Sequence, residues 1–285
     1  MNRMHFGIQL LLILSEGMEM IEGNKHLRII ITGQKGYIGQ HLSKYLFNNT
    51  DWDIHGLDKQ DGFDLLGDRS IQHLETFDCV VHLASLTGVR SSKLIPHTYM
   101  RDNIKMTMRI LNACNEHNVP CLVASSSSVT ELRSAYAYSK FAIEQLCQSY
   151  PYNRIARIFR PFTIYSHNIP DCYRSNMLYG MIVDNRVPNE IWNAKRDFTH
   201  VDDVCSALQL LILNRNNGTP DKPYDIGYRN PISTKEFLEL HSVDTSLITF
   251  KEPTEEYSES HFTCASPAPL FRLGWSPANN QRIYS

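Results

Sequence analysis

Apolar and polar positions along this chain predict strands alternating with helices from residue 27 to about residue 160. Leu27 to Ile31 is an apolar, β-rich run, and a helix-forming segment follows it, roughly Gln40 to Phe47. Asp53 to Leu57 reads as a second strand and Cys79 to Ala84 as a short buried one. Tyr99 to His117 predicts a long helix, with Ile104, Met108, Leu111 and Ala113 on related faces and Asn118 and Pro120 ending it. Cys121 to Ala124 is the next strand, and it runs into four serines, 125–128. Tyr136 to Tyr150 predicts another helix, stopped at Pro151, and Arg154 to Phe159 a further strand. Such alternation implies a parallel sheet covered on both faces. From Pro161 onward the pattern is less regular and richer in Pro and Asn, and no internal repeat is visible.

The break between the first strand and the first helix carries three glycines, Gly33, Gly36 and Gly39, within I-I-I-T-G-Q-K-G-Y-I-G. A strand, a tight glycine turn and a helix N-terminus together make an anion site, because backbone N–H groups and the helix dipole converge there. Asp58 ends the second strand about 20 residues beyond the last glycine, where a carboxylate meets an adenosine ribose. A carboxylate accepts hydrogen bonds from a 2′-hydroxyl and repels a 2′-phosphate, so NAD is expected over NADP. The expected fold is therefore α/β, a Rossmann-like doubly wound parallel sheet with a smaller, shortened C-terminal substrate lobe. Residues 27–160 are read as the NAD-binding domain and 161–285 mainly as the substrate lobe, with an interleaved boundary.

Composition narrows the function. A net charge of −2 over 285 residues, without a cluster of Lys or Arg, argues against nucleic acid as a partner. Seven cysteines (79, 114, 121, 147, 172, 205 and 264) show no C-x-x-C spacing and lie in apolar segments, as reduced thiols of a cytoplasmic protein do. Twelve histidines lack ligand spacing, so no metal is expected. Residues 1–26 precede the first strand. Their apolar run, Ile8 to Leu14, is too short to span a bilayer and lacks the flanks of a signal peptide. No membrane partner is expected, and the segment reads as a flexible extension, with Met18 or Met20 a plausible start.

Tyr136-Ala137-Tyr138-Ser139-Lys140 sets a tyrosine and a lysine four apart on one helical face. An ammonium beside a phenol favours the phenolate, which can exchange a proton with a sugar hydroxyl. Ser126, at the end of the preceding strand, can hydrogen-bond the same oxygen. No G-x-S-x-G elbow surrounds the serines, so a serine nucleophile is not expected.

These motifs resemble those of the extended short-chain dehydrogenases/reductases, the group of nucleotide-sugar epimerases, dehydratases and reductases. T-G-Q-K-G-Y-I-G (32–39) is similar to their T-G-x-x-G-F-I-G loop, and V-V-H-L-A-S (80–85) to the strand that lines the cofactor. A-S-S-S-S-V (124–129), Y-A-Y-S-K and R-D-F-T-H-V-D-D-V (196–204) match further signatures. Within the group, G-V-R-S-S (88–92) and R-P-F-T-I-Y-S (160–166) look most like UDP-glucuronate 4-epimerases. The resemblance implies Tyr136 as the acid/base, Lys140 as its tuner and a ligand of the nicotinamide ribose, and Ser126 on the reacting C4 oxygen. It implies that Gly33, Gly36, Ile38, Gly39, Asp58, Asp64, Leu83, Ala84, Asn103 and Phe162 hold NAD. Arg90, Ser127, Thr163 and Arg196 would face the substrate. In H-V-D-D (200–203), Asp202 or Asp203 would cap a helix.

The implied activity is redox-neutral 4-epimerisation of a UDP-hexose or UDP-uronate through a transient 4-keto sugar. The alternatives are an NAD(P)H-dependent 4-keto-sugar reductase and a degenerate dinucleotide-binding protein without activity. Ser127 and Ser128 replace the Asp-Glu pair of the 4,6-dehydratases, so dehydration is not expected. The family's pairing of two helices from each subunit implies a homodimer. Other positions depart from the pattern. Val129 to Ala135 is shorter than the family's loop, and Thr130-Glu131 stands where Tyr-Gly is usual. The uronate-reading arginine has no obvious counterpart beyond Arg90 or Arg174. Little follows Leu273-Gly274-Trp275-Ser276-Pro277. A trimmed lid is expected to admit water and loosen sugar recognition.

Overall fold

The computed structural model describes residues 26–67, 73–169, 177–217, 222–254 and 259–279. Residues 1–25 of the expected extension, together with Cys172 and Arg174, lie outside the described residues. In chain order the main elements begin with β1 (Arg28–Thr32), α1 (Tyr37–Asn49), β2 (Asp53–Leu57) and β3 (Cys79–His82). There follow α2 (Val89–Leu94), α3 (Pro96–Glu116), β4 (Cys121–Ala124), α4 (Ala135–Gln148) and β5 (Ala156–Pro161). The later half supplies α5 (Leu178–Val183), α6 (Val201–Leu213), β6 (Tyr224–Ile226), α7 (Thr234–Leu240) and α8 (Ala268–Arg272).

The strands form one parallel sheet in the order β6-β5-β4-β3-β1-β2. The central strands β1, β3 and β4 are mostly apolar and buried because both faces are covered. Ile29 and Ile31 pack with Leu42 and Leu46 of α1 and with Val204 and Leu208 of α6. Ile30, between them, faces the opposite side with Ile110 of α3 and Ile143 of α4. Strand order reverses between β1 and β3, and the crevice beyond the carboxyl ends at such a switch point is where a ligand sits in open α/β sheets.

Several helix boundaries have local causes. Pro96 opens α3, where its missing N–H costs nothing. Ser134 caps α4 by accepting from Ala137 N at 3.1 Å, which puts Tyr136 in the first turn. The α6 start corrects the expected cap: His200, not Asp202 or Asp203, is the N-cap, its Nδ1 accepting from Asp202 N at 3.2 Å. The two aspartates lie in the first turn, where the helix dipole favours them. Asp203 is buried and holds the C-terminal segment, accepting from Ala278 N at 2.9 Å and Asn279 N at 3.0 Å. α2 was not foreseen, since V-R-S-S-K-L is too short and polar to show a period.

Beyond the carboxyl edge lies a third apolar cluster, Tyr165, Ile169, Tyr179, Phe198, Tyr228, Ile232 and Phe237. It is built from short segments, and the rings of Phe198 and Phe237 stack at 3.8 Å. Among the described residues no helix is long and apolar enough to cross a membrane.

Candidate functional site

The glycine turn is held by backbone geometry that side chains would break. Gly33 adopts φ +72°, and a Cβ there would lie 2.7 Å from Ala84 N. A Cβ on Gly39 would lie 2.3 Å from Gly33 O. Gly36 N donates to Gly33 O at 2.9 Å, closing the turn. Gly36 then caps α1 without a side chain, and the first turn has no acidic residue, so the positive helix end is left uncompensated. Ile38, in that turn, packs on the sheet core. Leu83 and Ala84 abut the turn, donating through their N–H groups to Thr32 O and Oγ1 at 3.1 and 3.3 Å.

Asp58 reaches back under the turn. Its carboxylate accepts from Lys35 N at 3.0 Å and from Gln60 N at 2.9 Å. The neighbouring lysines are each matched by an acid: Lys35 pairs closely with Asp61, and Lys59 Nζ lies 3.7 Å from Asp64 Oδ2. Asn103 is placed differently from the other expected cofactor residues. It is buried, and its amide is spent on Leu86 N and O at 2.7 and 3.1 Å and on Ser139 Oγ at 3.0 Å. It braces the loop after β3 rather than turning to the crevice. Phe162 is buried at the end of β5.

Ser126, Tyr136 and Lys140 come together beyond β4. The Ser126 side chain neighbours the Tyr136 phenol, and its hydroxyl donates to Ser128 Oγ at 3.1 Å. Lys140 is buried, donates from Nζ to Ala124 O at 2.9 Å and lies 5.9 Å from the Tyr136 ring centre. The Tyr99 ring meets Tyr136 edge-on at 6.3 Å. The expected lowering of the phenol pKa is not realised in this arrangement. Burial pushes the Tyr136 phenol up, neighbouring Ser126 opposes that, and Tyr99 adds to the rise. Burial also pulls Lys140 down to about 8, against the acids Cys147 and Glu144. The spacing predicted the meeting of the two groups but not the desolvation that dominates it.

Arg90, Thr163 and Arg196, expected to face substrate, line one cavity of about 250 Å³. Ser127 lies instead in the short turn that Ser126 caps. Tyr165, Tyr179, Trp192, Phe198 and Phe237 form much of the apolar wall. None was singled out from sequence, because isolated aromatics in irregular chain carry no period. Glu259 was missed as well. Its carboxylate joins the two arginines, Oε1 at 3.1 Å from Arg90 Nε and Oε2 at 3.5 Å from Arg196 Nη2. Asp197, next to Arg196, is buried and accepts from the N–H groups of Tyr228, Arg229 and Ala265, each at 2.9 Å.

Comparisons with known proteins agree with this fold. A match to the NAD dependent epimerase/dehydratase family covers residues 29–227. Protein CapI of Staphylococcus aureus is 28% identical over 276 residues, which cover 75% of this chain and 82% of that protein. UDP-glucuronate 4-epimerase 1 of Arabidopsis thaliana is 29% identical over 279 residues, 75% of this chain and 65% of that one. Among solved structures, MoeE5 in complex with UDP-glucose and NAD superposes with a TM-score of 0.70 at 25% identity, covering 90% of this chain and 95% of that chain.

Proposed function

The chain belongs to the NAD dependent epimerase/dehydratase family, and from that premise we propose that it is a nucleotide-sugar 4-epimerase acting on a UDP-hexose or UDP-uronate. The observation that carries this reading is the meeting of Ser126, Tyr136 and buried Lys140 on the carboxyl edge of the sheet. Ser126 follows β4 and Thr163 follows its neighbour β5, so the reacting groups and the arginine-lined cavity share that edge. A 4-epimerase among the relatives and a neighbour holding UDP-glucose and NAD support the same reading.

The residues present fit a dinucleotide. The uncompensated start of α1 and the glycines packed against backbone suit a pyrophosphate, held by Gly33, Gly36, Ile38 and Gly39. Asp58 keeps lone pairs for an adenosine ribose, and Asp58, Asp61 and Asp64 outnumber Lys35 and Lys59, which disfavours a 2′-phosphate. Leu83, Ala84 and Phe162 flank the same crevice, and Asn103 fixes the loop after β3 that carries Leu83 and Ala84.

NAD, when bound, supplies the acceptor that takes the C4 hydride and returns it to the other face of the sugar. The Tyr136 oxygen, once ionised, takes the C4 hydroxyl proton and later gives it back. Ser126 donates to the C4 oxygen and holds it at the phenol. Lys140, fixed on the Ala124 carbonyl, stabilises the phenolate at the moment it forms. Arg90 and Arg196 provide positive charge for the nucleotide's phosphates, and the aromatic wall excludes water from the sugar. The short turn after Ser126 offers serines where elimination would need an acid and a base. Met108 of α3 and Tyr138 and Phe141 of α4 are exposed, and two copies pair through these faces. The free thiols of the six described cysteines suit the cytoplasm.

The test is incubation with UDP-glucose, UDP-glucuronate and their N-acetyl forms, without added reductant, followed by proton NMR. Appearance of the C4 epimer supports the reading. Stoichiometric consumption of NADH or NADPH would make the protein a reductase, and no turnover with dinucleotide bound would make it a binding protein.

A further inference from the structure

The turn between Ser126 and Tyr136 departs from the family in length and in carrying Glu131, and the structure gives that residue a partner far away in the chain. The Glu131 carboxylate accepts from His261 N at 3.0 Å and from Phe262 N at 3.3 Å, and Arg133 Nε braces it at 3.0 Å. Burial works against the charge, yet the two N–H groups and the guanidinium hold the carboxyl below its ordinary value. The segment it grips runs beside residues 195–197. Lys195 N donates to His261 O and Thr263 N to Lys195 O, each at 3.1 Å, and Ala265 N donates to Asp197. This path brings Glu259 to Arg90 and Arg196 at the cavity.

We propose that Glu131 is a positioning residue that docks residues 259–266 as a wall of the nucleotide-sugar cavity and joins that wall to the turn bearing Ser126. This proposal rests on the nucleotide-sugar reading for its kinetic consequence. The docked segment then does part of the work expected of the family's longer loop, so the short Val129–Ala135 stretch closes the site by gripping another part of the chain. A charged acceptor suits the task, because two N–H donors and a guanidinium converge on it and a carboxylate can accept all three.

The experiment compares wild type with Glu131→Ala and Glu131→Gln in the full-length, dinucleotide-loaded protein. Loss of these hydrogen bonds should raise KM for the sugar nucleotide about tenfold in Glu131→Ala, with kcat within about twofold. Glu131→Gln, which keeps one acceptor oxygen, should fall between. UDP affinity by calorimetry should drop in parallel with the rise in KM. Hydrogen exchange at residues 259–266 should accelerate in Glu131→Ala whether or not the protein turns over a sugar. Unchanged exchange overturns the docking role. A lower kcat with KM and UDP affinity intact overturns it too, by confining Glu131 to the serine turn. Faster exchange in Glu131→Ala, with a wild type that neither epimerises sugars nor binds UDP, would keep the docking and discard the functional reading.

Discussion

Glu144 and Arg160 form a two-pronged ion pair between α4 and β5, Arg160 donating from Nε at 2.7 Å and from Nη2 at 2.6 Å. Ser125, next to Ser126, donates to the same carboxylate at 2.5 Å, and Asp225 of β6 lies 3.7 Å from Arg160 Nη1. Glu144 is also one helical turn beyond Lys140. It therefore ties the end of β4, the lysine helix and the far strand to one buried charge. Glu144→Ala leaves the guanidinium only the more distant Asp225 and should cost about 3 kcal/mol, whereas removing both charges as Glu144→Leu/Arg160→Met should cost less. Urea midpoints of the two variants decide this. A double variant no more stable than Glu144→Ala contradicts the account.

Tyr136→Phe removes one oxygen from a half-buried ring that Tyr99 already supports. Epimerisation should fall by about 10²–10⁴ in kcat, while bound dinucleotide and fold are retained. Turnover by the variant at the wild-type rate rules out the proton path through Tyr136.

His82 gives stability a definite pH dependence. It bridges Thr32 Oγ1 at 2.7 Å and Thr107 Oγ1 at 3.1 Å, and burial pulls its pKa from 6.5 down to about 3. Between those values the unfolded chain binds a proton that the folded chain refuses. Its contribution is therefore intact above about pH 6.5 and is lost as pH falls towards 3, at about 1.4 kcal/mol per unit. His241, lowered to about 4 by burial and by His167, acts in the same direction. Urea unfolding from pH 7.5 to 5 should show this slope, and His82→Gln should flatten it. Parallel slopes in the two proteins would remove His82 as the cause.

Phe141→Glu places a charge on the exposed face of α4, where the ring is 39% exposed. If two copies pair through α3 and α4, sedimentation should show the wild type as a dimer and the variant as a monomer at micromolar concentration, with the monomer's secondary structure unchanged. A monomeric wild type eliminates the interface.

The glycine turn and the Tyr136–Lys140 pair were legible because each is a short-range pattern on a regular element, where spacing sets direction. The parallel sheet covered on both faces followed from the alternation of strands and helices, though its strand order did not. The cavity wall was not legible in the same way. Trp192, Phe198 and Phe237 come from short segments whose neighbours are set by tertiary contact. Glu131 meets His261 across 130 residues, a distance at which no periodic pattern operates. The α6 cap was misread because aspartate is the commoner cap, while His200 offers a ring nitrogen to Asp202 N. The direction of the Tyr136 shift was misread because spacing reports neighbours and not solvent.

The sixth strand has a consequence for how the protein acquires its shape. β6 pairs with β5 through Tyr224 opposite Phe159 and Ile226 opposite Pro161, although some sixty residues intervene. α6, which covers β1, also comes from the later half. A chain cut after residue 160 would leave β5 as a bare edge, ready to template association with other chains, and the inner face of β1 half uncovered. During synthesis the nucleotide half therefore waits for the other half, and contacts of such long separation are slow to form. The polypeptide is expected to fold as one cooperative unit, and exchanging halves between relatives would have to carry β6 and α6 along with the first five strands.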